Sequence, residues 1–273
     1  MAQTTDLILN ELDGSFEITD EQVSFFRTNG YIKISNLLSP LLIQYMDQVI
    51  SAEVVKLNTQ LLDMKYRDTY GKAFLQVMNI WRESDAVQNI VFSKKLAKIA
   101  ATLLEVEGVR LYHDQALYKE PGGGYTPWHA DQYYWPLASD RTITAWIPLQ
   151  ETTLDLGPLE FSAGSFKLTD GRNKEIGDES QDFLESTLKA KQFPHIIEPY
   201  GIGEVSFHMG WLYHRAGPNT TNRMRKVMTM IYMEKDMKLK VPENKNQQND
   251  WDTWCPGAVI GETINTSLNP ILI

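Results

Sequence analysis

The sequence predicts a mainly β protein, a sandwich or a barrel, whose first third is helical. Up to residue 108, apolar residues recur at helical spacing between capping signals. After it, short apolar or alternating runs lie between Gly, Pro and Asn residues, which is typical of antiparallel strands joined by turns. Strands and helices do not alternate in this part, so βαβ units are not expected. We expect a single domain over residues 1–273.

Helix signals come first along the chain. Thr19-Asp20-Glu21-Gln22 has the pattern of a capping box, and Gly30, which tolerates positive φ, is placed to end that helix. Ser39-Pro40 opens the next helix, with serine as its N-cap and proline at its first position. A further helix is expected over residues 93–104, where the apolar residues share one face.

The predicted strands are short and are separated by turns. They are expected at 31–35, 109–118, 142–149, 157–161, 195–198, 204–208 and 227–234. Residues 167–192 interrupt this series with a charged, turn-rich stretch that includes a short helix around residues 183–188. Because loops on rigid scaffolds commonly gate functional sites, we predict that this insertion is a lid.

Charge and cysteine content narrow the class of protein. With 26 Lys and Arg against 35 Asp and Glu the net charge is −9, whereas nucleic-acid binding relies on basic residues. Cys255 is the only cysteine, so an internal disulfide is impossible and an oxidising compartment is not indicated. The sequence shows neither an apolar run of about 18 residues nor a secretory pattern at its start. We therefore expect a cytoplasmic protein that binds neither nucleic acid nor membrane, and the oligomeric state stays open.

Two histidines and one aspartate have the spacing of a metal site. On a strand, His129 and Asp131 point to the same face, and His214 precedes a Gly-Pro-Asn turn, where a strand end can meet a pocket mouth. Two histidines and a carboxylate form the facial triad of non-heme Fe(II) oxygenases. Taken alone, the His129–Asp131 pair is equally well explained by an ordinary hydrogen bond. Arg225, eleven residues after His214, is placed to reach back and clamp a carboxylate with its planar guanidinium.

The other three histidines are weaker candidates. His113 lies in a predicted strand beside Asp114, and we assign it a structural role. His195 follows Pro194, just past the charged stretch, and is expected to face solvent. His208 would share a strand face with His214, but it lacks the turn and the spacing to arginine, so it is not assigned as a ligand.

The set His129-x-Asp131, His214 and Arg225 resembles the motif of the phytanoyl-CoA dioxygenase family of Fe(II)/2-oxoglutarate-dependent oxygenases. The similarity covers roughly residues 20–235, and it includes the opening TDEQ…NGY, the stretch 128–146 and the segment GPLEFSAGS at 157–165. It implies a double-stranded β-helix, or jelly roll. The expected fold is therefore a mainly β jelly-roll core flanked by N-terminal helices.

The resemblance also implies which residues hold the cofactors. It assigns His129, Asp131 and His214 as catalytic iron ligands, and Arg225, Trp146, Gln115 and Gln76 as 2-oxoglutarate contacts. Several relatives carry Lys and Met in place of Gln76 and Gln115. Relatives often have serine two residues after the second histidine, where this chain has Ala216, and Thr144 is one residue able to replace that hydroxyl.

The predicted activity is that of an oxygenase with Fe(II) as cofactor and 2-oxoglutarate as cosubstrate. Such an enzyme hydroxylates or otherwise oxidises a small organic molecule with dioxygen, here in secondary-metabolite biosynthesis, and releases succinate and carbon dioxide. The alternatives are an acyl-CoA 2-hydroxylase of phytanoyl-CoA type and a jelly-roll binding module without catalysis. A free small molecule is favoured over a coenzyme A thioester, because basic clusters are few and aromatic residues surround the proposed ligands.

Overall fold

The computed structural model describes residues 2–273, with side chains from Asp6 onward. The helices are α1 (Ala2–Leu12), α2 (Asp20–Asn29), α3 (Pro40–Leu57), α4 (Thr69–Ala73), α5 (Asp85–Val91), α6 (Lys94–Leu104), α7 (Asp178–Ala190) and α8 (Lys245–Trp254). The strands are β1 (Tyr31–Ile34), β2 (Leu75–Met78), β3 (Val109–Lys119), β4 (Thr126–His129), β5 (Thr142–Pro148), β6 (Leu159–Ser162), β7 (His195–Ile197), β8 (Val205–Met209), β9 (His214–Ala216) and β10 (Arg225–Glu234).

These strands form two antiparallel sheets. The larger has the order β1-β8-β5-β10-β3-β2 and the smaller the order β4-β9-β6-β7. Neighbouring strands therefore come from distant parts of the chain, as in a jelly roll, whose crossing connections place sequence-distant side chains opposite one another. The predicted fold class, a mainly β jelly roll with N-terminal helices, is confirmed.

The N-terminal helices begin and end at the predicted residues. The Thr19 hydroxyl accepts a hydrogen bond from the Gln22 backbone N–H at 3.2 Å, and the Gln22 side chain accepts one from the Thr19 N–H at 3.0 Å. Gly30 ends α2 with a φ of 79°, in the left-handed region that glycine adopts without strain. Ser39 caps α3 in the same way, and α6 buries its apolar face against β3, β5 and β10.

The stretch 167–192 contains more regular structure than the charge pattern predicts. Helix α7 runs for 13 residues and packs on β4 through Leu184 and Leu188, which are both buried. The Gln181 side chain accepts a hydrogen bond from the Trp128 backbone N–H at 3.0 Å. Only the turn-rich segment 169–177 that precedes α7 has the irregular character expected of a lid.

Helix α8 has no counterpart among the predicted elements. Its N-cap, Asn244, accepts a hydrogen bond from the Gln247 N–H at 2.9 Å, and the Gln247 side chain donates to the Tyr133 carbonyl at 3.0 Å. These contacts hold α8 against the segment that follows β4. Among the helices of residues 2–273, none has both the length and the apolar character needed to cross a membrane.

Candidate metal centre and cosubstrate pocket

A cavity of about 330 Å³ lies between the two sheets. The larger sheet contributes two cross-strand rows to its lining. The first row consists of His208 on β8, Thr144 on β5, Ile231 on β10 and His113 on β3, which are cross-strand neighbours in that order. The second row consists of Trp146 on β5, Thr229 on β10, Gln115 on β3 and Met78 on β2. Both rows face the cavity because side chains two residues apart point to the same face of a strand.

The smaller sheet contributes both predicted histidine ligands. His129 of β4 and His214 of β9 are cross-strand partners, and their ring centroids are 4.2 Å apart. The β4–β9 register shifts between Thr126 and His129, an irregularity of the kind that re-aims side chains beside active sites. Asp131 follows directly after β4, so one strand end and its neighbour supply all three residues.

The three predicted ligands converge. One ligand atom from each of His129, Asp131 and His214 lies within 4.8 Å of the others. The Nε2 atoms of His129 and His214 lie 3.5 and 3.6 Å from the Asp131 Oδ1. The two Nδ1 atoms hydrogen-bond to the backbone carbonyls of Pro127 and Leu212, at 2.8 and 2.9 Å. Each Nδ1 is therefore the protonated nitrogen, and each Nε2 lone pair is free to bind a cation.

The charge states of these groups suit a divalent cation. Burial raises the pKa of Asp131, but the neighbouring imidazoles of His214, His129 and His208 outweigh this and hold the pKa well below its usual value. Burial, together with His129, lowers the pKa of His214 well below its usual value. At neutral pH the aspartate is ionised and His214 is neutral, which are the protonation states that metal binding requires.

His208 and Thr144 surround the second oxygen of Asp131. The His208 Nε2 lies 3.5 Å from the Asp131 Oδ2, and neither ring nitrogen of this buried histidine has a hydrogen-bond partner among the described residues. The Thr144 hydroxyl donates to the same Oδ2 at 3.4 Å. Thr144 thus bonds to the proposed metal ligand, which corrects its suggested role as a replacement for the missing serine hydroxyl near Ala216.

Arg225 carries a buried charge without a charged partner. Its side chain lies in the cavity lining, 2 % exposed, and its guanidinium lies 5.7 Å from the Trp146 ring centroid. One guanidinium nitrogen donates to the Gly157 carbonyl at 2.8 Å, while Nε is buried with no partner in the described chain. Burial lowers the pKa of Arg225 to about 9, so it stays charged at neutral pH. A buried cation in this state requires an anion.

Lys119 is the cross-strand neighbour of Arg225, and it does not supply a second full charge. Its Nζ donates to the carbonyls of Gly124 and Gly217 at 2.5 and 2.8 Å. Burial, with the nearby Arg225 charge, lowers the pKa of Lys119 to about 6. At neutral pH most Lys119 side chains are therefore uncharged, and Arg225 carries the positive charge at this end of the cavity.

The other predicted cosubstrate residues line the same cavity. Trp146 is buried in the second cross-strand row, beside Thr229 and two strands away from Gln115. The Gln76 side-chain amide donates to the Gln115 carbonyl at 2.7 Å, and the Tyr70 hydroxyl donates to Gln76 at 3.3 Å. The two glutamines thus act as one hydrogen-bonded pair at the edge of the larger sheet.

Several lining residues were not singled out by the sequence. Thr126 is buried, and its hydroxyl has no hydrogen-bond partner among residues 6–273. His113, which we expected to be structural, instead lines the cavity; Asp114 beside it accepts the Ile80 and Trp81 backbone N–H groups. The remaining lining residues outside the predicted set include Tyr70 and Ile176 and, from α8, Asn249, Asp250, Thr253 and Trp254. His195 is exposed as expected, and it bonds to Glu160 at 2.6 Å.

Comparisons with known proteins agree with this geometry. Residues 26–227 match the family model described as phytanoyl-CoA dioxygenase (PhyH). One relative is the probable alpha-ketoglutarate-dependent hypophosphite dioxygenase of Stutzerimonas stutzeri, 28% identical over 158 residues, which are 56% of this chain and 54% of the relative. The chain thus matches about half the length of that protein.

Solved structures establish the same fold. The alpha-ketoglutarate-dependent carbocyclase SnoK from nogalamycin biosynthesis superposes with a TM-score of 0.77 at 21% identity, covering 94% of this chain and 99% of SnoK. The epimerase SnoN, crystallised with Fe3+, alpha ketoglutarate and nogalamycin RO, superposes with a TM-score of 0.75 at 21% identity, covering 93% and 98%. Because the family model spans well over half of the sequence, the chain belongs to the phytanoyl-CoA dioxygenase family.

Proposed function

We propose that this chain is an Fe(II)- and 2-oxoglutarate-dependent oxygenase that oxidises a small organic molecule and releases succinate and carbon dioxide. One observation carries the proposal: the His129–Asp131–His214 cluster and the guanidinium of Arg225, which has no charged partner in the described chain, line the same cavity. A cation site and an anion site in one cavity match a bound metal and a dicarboxylate that reaches from the metal to the arginine.

Each residue has a role in this scheme. His129, Asp131 and His214 would hold Fe(II). Bound iron would let dioxygen act as the oxidant, with one oxygen atom consumed in the decarboxylation of 2-oxoglutarate to succinate and carbon dioxide and the other available to the substrate. His208 and Thr144 orient Asp131 through its second oxygen.

The cosubstrate end of the cavity is formed by Arg225 and its neighbours. Arg225 binds the distal carboxylate of 2-oxoglutarate, and the Trp146 ring limits the space beside it. Gln115 and Gln76 contribute amide groups one strand further on. Because Arg225 is already buried and fixed by Gly157, little side-chain entropy is lost when the carboxylate binds.

Thr126 takes the place of the missing serine hydroxyl. It is the cross-strand partner of Ala216, which in turn is paired with Leu159, two residues after the Gly157 carbonyl that holds Arg225. A buried hydroxyl with no partner among the described residues, in the lining of the cavity that also holds Arg225, is suited to donate to a carboxylate.

Replacing Thr126 with valine, which keeps the shape and removes the hydroxyl, should weaken 2-oxoglutarate binding. A hydrogen bond to a charged group contributes about 1.5–3 kcal/mol, so we expect a loss of roughly tenfold or more in affinity. Isothermal titration of 2-oxoglutarate into the anaerobic iron-loaded protein measures this, and Thr126→Ser should restore much of the affinity. Equal affinities in the valine variant and the unmodified chain would remove Thr126 from the cosubstrate site.

The alternative functions fit the cavity less well. Among the described lining residues, Arg225 is the only Lys or Arg, whereas a coenzyme A thioester carries several phosphate charges that require basic partners. A binding module without catalysis has no need of a metal triad together with a buried arginine that lacks a charged partner in the described chain. Succinate release that depends on both iron and 2-oxoglutarate tests the proposed function. Failure of the purified chain to decarboxylate 2-oxoglutarate with any substrate of a broad panel would favour the binding module.

The proposal includes a biological setting. SnoK and SnoN are enzymes of nogalamycin biosynthesis, and their similarity supports a role in secondary metabolism for this chain. A cytoplasmic location rests on the single cysteine, Cys255, which is buried and unable to form an internal disulfide.

The proposed lid lies within the predicted insertion 167–192. Ile176 lines the cavity, and its backbone N–H donates to the Tyr134 hydroxyl at 3.0 Å. We expect limited proteolysis to cut first in the turns before α7, and to be slowed when iron, 2-oxoglutarate and substrate are bound together. Mass spectrometry of the fragments locates the cut. A first cut elsewhere, unaffected by ligands, would mean that the insertion does not gate the site.

A further inference from the structure

Helix α8 forms one end of the cavity. The polar groups at this end belong neither to the proposed iron site nor to the proposed cosubstrate site. Asn249, Asp250 and Thr253 of α8 line it together with His113 of β3. His113 stands two strands away from Thr144, the residue that bonds to Asp131. Two interstrand spacings amount to roughly 10 Å, so this end is separated from the metal by about the length of a small organic molecule.

Asp250 is the charged group at this end. Its Oδ2 accepts a hydrogen bond from the Tyr112 hydroxyl at 2.9 Å, and no Lys, Arg or His of the described chain forms an ion pair with it. Burial raises the pKa of Asp250 to about 7, although hydrogen bonds from Tyr112 and Trp254 act in the opposite direction. His113 adds a neutral polar group, because burial lowers its pKa to about 4.

Asp250 is the one acidic group of the described lining whose charge is not balanced when a divalent metal and 2-oxoglutarate are bound. A divalent metal and Arg225 together supply three positive charges, and Asp131 with a doubly ionised 2-oxoglutarate supplies three negative ones. The metal and cosubstrate sites are then neutral as a unit. Any ionised Asp250 is the remaining charge in the lining, and it favours a substrate that is neutral or cationic and disfavours an anion.

We propose that Asp250 is a specificity-determining residue that binds a hydrogen-bond-donating head group of the substrate, an amine or a hydroxyl, at the α8 end of the cavity. The inference rests on the proposed function, since it assumes that the oxidised carbon points toward His129, Asp131 and His214. The rest of the molecule is largely apolar, because the walls between the two ends are formed mainly by apolar or aromatic side chains. They are Phe74, Trp135, Ile176, Ile231 and Trp254.

The head group inferred here differs from hypophosphite, the substrate named for the Stutzerimonas stutzeri relative. Hypophosphite is a small anion, and its recognition calls for basic side chains beyond the one that holds 2-oxoglutarate. Apart from Arg225, no Lys or Arg lines the described cavity, and the α8 end presents a carboxylate instead. The head group expected here is therefore of the opposite chemical character.

Probes with one skeleton and different head groups test the proposal. 1-Adamantylamine, 1-adamantanol and adamantane-1-carboxylate share a compact apolar cage. Their binding to the anaerobic Fe(II)/2-oxoglutarate complex is measured by saturation-transfer NMR and by the change in the metal-to-cosubstrate absorption band. We expect the amine and the alcohol to bind about tenfold more tightly than the carboxylate, and their relative affinities tell which donor Asp250 prefers.

Asp250→Asn removes the charge and nearly preserves the shape. In this variant the preference for the amine over the carboxylate should fall about tenfold, because the carboxylate probe binds more tightly than it does to the unmodified chain. A gain of this kind cannot arise from misfolding. The matched control is Asp252→Asn, on the same helix. Asp252 is exposed and, among the described residues, its side chain bonds only to the Gln248 side chain, so the change should leave all three affinities unchanged.

Two failures are distinguishable. If the absorption band never forms when Fe(II) and 2-oxoglutarate are added, the proposed function itself is wrong. If the band forms but the three probes bind equally, or Asp250→Asn leaves the order of affinities unchanged, the function stands and Asp250 does not select the head group.

Discussion

Replacing His129 or His214 with alanine should abolish Fe(II) binding, and 2-oxoglutarate turnover with it. Each change removes one of three protein ligands and leaves only Asp131 and one imidazole to bind the metal. Loss of an outer partner of a metal ligand typically costs 10–100-fold in affinity, so loss of a ligand should cost more than about 100-fold. Anaerobic titration with Fe(II), followed by calorimetry, measures the affinity directly and does not depend on a substrate.

Two other histidines serve as controls for this result. His195→Ala should leave Fe(II) affinity unchanged, because the side chain is exposed and bonds to Glu160 outside the cavity. His208→Ala should keep the metal site, with an affinity lowered by no more than about 100-fold, since His208 supports the ligands from outside: it lies against the second oxygen of Asp131 and packs on the His214 ring. If His208→Ala abolished iron binding and His214→Ala did not, the ligand set would be wrong.

The parts of the fold that could be predicted are those encoded by local patterns. The capping residues of α2 and α3 and the seven predicted strands follow from spacing within a few residues. Strands β2, β4 and β9 were missed, and length is not the reason, since the predicted β1, β6 and β7 are equally short. Pro127 within β4 and Gly217-Pro218 directly after β9 favour a loop over a strand in the sequence. Helix α8 was missed because its residues are mostly polar and it is stabilised by contacts with Tyr133 that no local pattern reveals.

The residues of the candidate site also fall into two groups: those that a sequence pattern reveals and those that only the strand register reveals. His129, Asp131, His214 and Arg225 could be found because type, order and spacing together resemble a family motif. The residues that depend on register could not: Thr126 matters because it pairs with Ala216, and His113 because its row ends beside Asp250 of α8. Such neighbours come from strands about 90 or more residues apart, and the sequence carries no local record of them.

Arg225→Leu should lower the affinity for 2-oxoglutarate at least tenfold while Fe(II) still binds. The guanidinium is buried, lacks a charged partner in the described chain and faces the cavity, so the cosubstrate carboxylate is the partner it requires. Hydrogen bonds to charged groups contribute about 1.5–3 kcal/mol, which corresponds to roughly 10–100-fold in affinity. Calorimetric titration of 2-oxoglutarate into the anaerobic Fe(II) protein measures the change, and a separate Fe(II) titration confirms that the metal site is intact.

The conservative variant is the more demanding test. Arg225→Lys keeps a positive charge but loses the planar fork that bonds a carboxylate at two points, and a lysine at this position would lie beside Lys119, whose pKa the Arg225 charge already lowers. The new lysine should itself lose much of its charge in this buried environment, so it should restore less than half of the lost binding free energy. Arg223→Leu, two residues earlier and exposed, is the matched control and should bind 2-oxoglutarate normally. Full affinity in Arg225→Leu, or a loss in Arg223→Leu equal to that in Arg225→Leu, would show that the cosubstrate carboxylate is held elsewhere.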